Sequence, residues 1–197
     1  MYTPQLDRSA AHRHMPVRAA APSPEQLHNQ RVSVLADQLA AHCGLPAAQR
    51  RCVVWGAWWH DLGKFDLSPR LVNKPSALSG PEWAQMRRHP RLGAIRAYRM
   101  GAPLAVVQMI DAHHERWDGR GYGSGLARHH IPIGAQIISL ADVFDAMTSE
   151  RPYKRPMSLG ETLERMAADR ERAFHPELLD LALVLFEAGA PQFCLTV

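Results

Sequence analysis

DAHHERWDGRGY, residues Asp111 to Tyr122, sets two adjacent histidines and a glutamate directly ahead of a loop of alternating glycines. Both imidazoles reach one site only if the backbone turns there. The Asp118-Gly119 pair and the glycines at 119, 121, 123 and 125 supply such a turn. The apolar run PLAVVQMI, Pro103 to Ile110, leads into it, with a proline suited to the first helical position. Val106, Val107 and Ile110 then share a helix face with His113 and His114. Imidazoles on a buried stripe require hydrogen-bond partners or a metal.

The flanking sequence supplies further donors. Upstream, His28, Val32, Leu35 and Leu39 recur at helical spacing within a helix expected from Glu25 to Cys43, with Gly44 as its stop. Pro46 starts a second helix whose inner face, Val53, Val54 and Ala57, leads to the run His60-Asp61-Leu62-Gly63-Lys64, in which Gly63 reads as a helix stop. Ser79, Pro81 and Glu82 open a short helix that runs into Arg87-Arg88-His89-Pro90, so His89 falls at a joint between helices. Downstream, Pro132 opens a helix with Ala135, Ile138, Asp142 and Asp145 on one face and Ile137, Leu140, Phe144 and Met147 on another. A helix apolar on two sides is central to its bundle, so Asp142 and Asp145 are expected to be largely buried and to need cations. Stretches from Ser158 to about Asp169 and from Pro176 to about Ala188 read as covering helices, and His42, His129, His130 and His175 as structural or solvent-facing.

Period-two alternation is absent, so the class is all-α. A single domain of about seven helices is expected over residues 25–197, behind a flexible arm or linker at 1–24 that is rich in Ala, Pro, Arg and His. A length of 197 residues, 46% of them hydrophobic, suits one sizeable core. The net charge of +4 fits an anionic ligand about as well as it fits solvated Lys and Arg. Three cysteines without a CxxC pair argue against a disulfide framework or a Cys-type zinc site and favour a reducing cytoplasm. No apolar stretch approaches the roughly 20 residues that span a bilayer, and no signal-peptide pattern opens the chain.

Each donor alone has a plainer reading: His28 as a satisfied core histidine, His89 as a cap on its joint, His60-Asp61 as a common dipeptide. Together, His28, His60, Asp61, His89, His113, His114 and Asp142 offer five nitrogen and two carboxylate donors on inward faces or helix ends. That is too many for one transition-metal ion and suits two. With one carboxylate bridging, metals roughly 3.5 to 4 Å apart form the clamp used in phosphodiester hydrolysis. Mixed imidazole and carboxylate ligands fit Fe, Mn, Zn, Ni or Co better than Mg or Ca.

These motifs resemble, in order, those of the HD-GYP domain, a branch of the HD metal-dependent phosphohydrolases that hydrolyses the bacterial second messenger cyclic di-GMP. The resemblance runs from about His28 to Asp180. It is carried by HDLGK at His60 to Lys64, Lys74-Pro75, RHP around His89, HHERWDGRGY at His113 to Tyr122, Ile131-Pro132, and ADVFDAMTSERPYK from Ala141 to Lys154. It implies an HD-domain bundle around a buried binuclear centre, holding two divalent ions with Fe or Mn foremost and Zn, Ni or Co behind them. His28, His60, Asp61 and Asp142 would hold one ion, and Asp61 would bridge to a second held by His89, His113 and His114. Lys64 would lie beside the reacting phosphate, with Asp61 and Lys64 as the catalytic pair. Arg151 and Lys154 would hold phosphate oxygens, and Gly121 and Tyr122 would shape the site. Asp145 would orient Lys64 or a ligand.

The resemblance further implies hydrolysis to linear pGpG, with GMP after a second cut. A GGDEF-type or other signalling protein would contact the glycine loop; neither DNA nor a membrane is expected as partner. Gly123 stands where the family has proline, which frees φ and restores an N–H, so a looser loop is expected. Some members carry a glutamate four residues before the first histidine. Pro24 occupies that position here and Glu25 is out of phase, which favours two metals over three. The competing readings are hydrolysis of another cyclic dinucleotide such as cyclic GMP-AMP, or a non-catalytic module that binds cyclic di-GMP or a signalling protein.

Overall fold

In the computed structural model, residues 21–150 and 155–193 are described. They form α1 (Pro24–His42), α2 (Ala47–Trp59), a 3₁₀ turn (Leu62–Asp66), α3 (Pro69–Val72), α4 (Gly80–Met86), α5 (His89–Arg99) and α6 (Leu104–Ala112). A second 3₁₀ turn (Arg128–His130), α7 (Ile133–Thr148), α8 (Leu159–Ala167) and α9 (Pro176–Phe193) complete them. Seven of these helices run nine residues or more, and α3 and α4 are short connectors. Among the described residues the only β-type pairing is an isolated bridge between Arg170 and Phe174, so the fold is all-α.

Helix starts follow the local chemistry of the chain. Ser23, Ser79 and Ser158 each begin a capping box, closed by Gln26, Glu82 and Glu161 three residues on, which satisfies backbone N–H groups that have no intrahelical partner. Pro46, Pro103 and Pro132 sit at the N-cap, one residue before the helices they were expected to begin.

Helix α7 is central, packing against α1, α2, α6, α8 and α9. Its Ile137, Ile138, Leu140 and Phe144 join Val32, Leu35 and Leu39 of α1 and Val53 of α2 in the main core. The last two helices do more than cover it: Met166, Leu179 and Phe186 are fully buried, and the Phe186 ring stacks on Phe144 with centroids 4.1 Å apart. Burial of each such side chain contributes roughly 1.5–3 kcal/mol. A second cluster, Ala94, Ala97, Val106 and Ile110, joins α5 to α6, with Trp59 and Leu62 packed against it. No helix of the described residues is long and apolar enough to cross a membrane.

Candidate metal centre

The helix ends bring the donors together. His28 comes from α1, His60 from the C-cap of α2, His89 from the first turn of α5, His113 from the C-cap of α6, and Asp142 from the middle of α7. Two triads result: His28, His60 and Asp142, and His89, His113 and His114. Within each, one ligand atom per residue lies within 4.8 Å of the others. Asp61 stands between them, with Oδ1 3.3 Å from His89 Nε2 and Oδ2 3.4 Å from His60 Nε2.

Each central imidazole is aimed by its own backbone. His60, His89 and His113 donate Nδ1–H to the carbonyls of Ala57, Met86 and Ile110, at 2.7, 2.9 and 2.7 Å. Those bonds direct each Nε2 inward. His89 Nε2 and His113 Nε2 then face each other at 3.3 Å, while His60 Nε2 is buried without a hydrogen-bond partner. Converging, unsatisfied nitrogen acceptors beside carboxylates form a cradle that fits cations.

The electrostatics divide along the same line. Burial, reinforced by neighbouring imidazoles, holds His113 well below the ordinary histidine range and His89 below it. Burial also pushes His114 down to about 4, so this triad is neutral and ready to donate nitrogen lone pairs near pH 7. Around His28 burial also opposes charge, but the Asp142 and Asp145 carboxylates outweigh it and raise the pKa to about 9. Asp61 is held well below the usual carboxylate range: burial acts against its charge, and His60 and Lys64 overcome that. This half of the site demands positive charge.

Asp145 serves a ligand rather than Lys64. Its Oδ2 lies 2.7 Å from His28 Nδ1, Ser149 Oγ donates to its Oδ1 at 2.9 Å, and Arg31 holds both oxygens. Lys64 donates to Asp61 Oδ2 instead. Arg31 escaped the sequence reading, although it lies one turn after His28 on α1. Asp145→Asn keeps the shape but removes the charge that aligns His28. Metal affinity at the His28 triad should fall about 10- to 100-fold, with the His89 triad unchanged, in a chelator-competition titration. Equal weakening of both, or of neither, would contradict this division.

The glycine loop is tied down by its neighbours. Tyr122 N–H donates to the His114 carbonyl at 3.1 Å, and the Tyr122 ring stacks on His114 with centroids 4.7 Å apart. A Cβ on Gly121 would sit 2.5 Å from the His114 carbonyl oxygen, so only glycine fits there. The glutamate of HHE, given no role above, accepts the Gly125 N–H at 2.6 Å, and Ser124 Oγ bonds Asp111. Gly123 has φ +143°, which proline cannot adopt, so the departure from the family pattern changes the backbone itself. Arg151 and Lys154 lie outside the described residues. His42, His129 and His130 are exposed and His175 is half-buried, His129 and His175 packing on Trp117 away from both triads.

The HD domain family matches residues 15–178. The chain is 37% identical over 172 residues to the cyclic di-GMP phosphodiesterase response regulator RpfG of Xanthomonas campestris, covering 84% of this chain and 44% of that protein. It is 35% identical over 158 residues to 3′3′-cGAMP-specific phosphodiesterase 2 of Vibrio cholerae, covering 79% and 30%. The chain thus spans less than half the length of either relative. Among solved structures, Bd1817, an HDG"Y"P protein from Bdellovibrio bacteriovorus, superposes with a TM-score of 0.69 at 20% identity, over 83% of this chain and 52% of that one.

Proposed function

The chain belongs to the HD domain family, in its HD-GYP branch, and from that premise we propose that it is a metal-dependent phosphodiesterase that hydrolyses cyclic di-GMP to pGpG, and on to GMP after a second cut. The observation that carries the reading is Asp61, whose two carboxylate oxygens face the two histidine triads one each. A bridging carboxylate between two cation sites is what phosphodiester hydrolysis uses.

The ligand sets are His28, His60, Asp61 and Asp142 for one ion, and Asp61, His89, His113 and His114 for the other. Two divalent ions there, Fe or Mn foremost, supply when bound a water acidified from a pKa of 15.7 to about 7 and a clamp on the phosphate oxygens. The protein's own groups do the rest. Asp61 fixes the spacing of the triads. Lys64, anchored on Asp61 with its side chain 29% exposed, offsets charge that grows on the phosphate. Asp142, 16% exposed, lies 3.3 Å from His28 Nε2, while Asp145 aligns His28 through its Nδ1. Gly121 and Tyr122 fix the His114 ring, and Arg151 with Lys154 would hold the distal phosphate.

A location in the cytoplasm is part of the proposal, supported by the free thiols of Cys43 and Cys52. So is a GGDEF-type or other signalling protein at the glycine loop. The Vibrio cholerae relative supports a second reading, in which cyclic GMP-AMP is the substrate. Turnover of both cyclic dinucleotides by metal-replete protein separates them: cyclic di-GMP should give the higher kcat/KM. A preference for cyclic GMP-AMP would select the second reading, and binding without turnover of either would reduce the domain to a sensor.

A further inference from the structure

An aromatic and cationic stack leads from the His89 triad to the protein surface. Tyr122 lies on His114, and the Arg87 guanidinium, at the C-cap of α4, is 5.5 Å from the Tyr122 ring centroid and 5.9 Å from that of Trp83. Both distances are within cation–π range. Trp83 and Arg87 are one helical turn apart, so α4 presents them on the same face.

Neither residue is used up by the fold. Trp83 is 45% exposed and belongs to none of the apolar clusters of the described residues. Arg87 is exposed, and among the described residues no carboxylate lies within ion-pairing distance of it. A large flat ring left partly in water beside a planar cation that no described carboxylate neutralises, at the rim of an anion-processing centre, has the chemistry that holds a nucleobase. Bases stack on tryptophan and on guanidinium planes, and arginine also matches the O6 and N7 acceptors of guanine.

We infer that Trp83 and Arg87 form a base-stacking platform for one purine of the nucleotide whose phosphodiester lies at the triads. Each link of the stack is under 6 Å, so the platform is joined to the His89 triad by continuous contact. The inference rests on the cyclic-dinucleotide reading above and adds to it a determinant of substrate affinity in α4, outside the metal ligands. Trp83 connects to the metal ligands through Arg87 and Tyr122.

Isothermal titration of a hydrolysis-resistant phosphorothioate analogue of cyclic di-GMP into metal-loaded wild type, Trp83→Ala and Trp83→Phe tests it, with elemental analysis of each protein and a separate turnover assay on cyclic di-GMP alongside. Loss of one stacked base weakens binding about tenfold. The expected result is that loss in Trp83→Ala, near-complete recovery in Trp83→Phe, and unchanged metal content in both. Unchanged affinity in Trp83→Ala would overturn the platform, as would a weakening that tracks loss of metal, because Trp83 would then only brace the site. Tenfold weaker binding without turnover by the wild type would leave the platform standing and sink the phosphodiesterase reading. Failure of the wild type to bind any cyclic dinucleotide would sink both.

Discussion

Asp61→Ala should lose both metal ions together and at least about 10³-fold in kcat/KM, since Lewis-acid stabilisation is worth several kcal/mol and each 1.36 kcal/mol is tenfold. Asp61 is 4% exposed, and alone among the described residues it has one oxygen against each triad, 3.3 Å from His89 and 3.4 Å from His60. Its removal also strips Lys64 of its partner and leaves an ammonium beside imidazoles that must ligate cations. Both effects act against both sites. A variant that kept one ion at full affinity would show that Asp61 serves a single site. One that kept full turnover would show the assignment of the centre to be wrong.

Gly63→Ala should have the largest effect on stability of any single methyl added near the site. An added Cβ would lie 1.9 Å from the His89 carbonyl oxygen and 2.4 Å from the Gly93 nitrogen. Both are backbone atoms and cannot rotate away. Relief requires α5 to move off the Leu62–Asp66 turn, at a cost of about 3 kcal/mol, the upper end of ordinary overpacking. For a chain of this length that lowers Tm by roughly 6–12 °C. It also separates Asp61 from His89, and a misplacement of about 1 Å costs on the order of 10²-fold in rate. Gly80→Ala, where a Cβ meets nothing within 4 Å, is the control. An unchanged Tm in Gly63→Ala would contradict the packing described.

Gly63 also marks where sequence reasoning stopped. It reads as a helix stop, but the chain continues through it in a 3₁₀ turn, and its role is a backbone contact with α5, a relation between residues 63 and 89 that no local pattern encodes. The helices and the donors were legible for the opposite reason. Apolar periodicity, the serines and prolines that open helices, and the His-Asp and His-His pairs at their ends are local signals. Asp145 was legible only as an alternative, Lys64 or a ligand, because its partner His28 is 117 residues away. Arg31 was invisible for the same reason, its partner Asp145 being 114 residues away, and Arg87 is an ordinary surface cation until the fold sets Tyr122 beside it. The carbonyls that set the histidine tautomers are local, three residues back in each case, and are the signal the sequence reading overlooked.

The central claim is that His28, His60, Asp61, His89, His113, His114 and Asp142 close around a pair of cations. Elemental analysis of protein reconstituted anaerobically with Fe(II) or Mn(II), then freed of loosely bound ion, tests it most directly. Two ions per chain are expected. One or none would contradict it, and three would show that the chain recruits a donor outside this set.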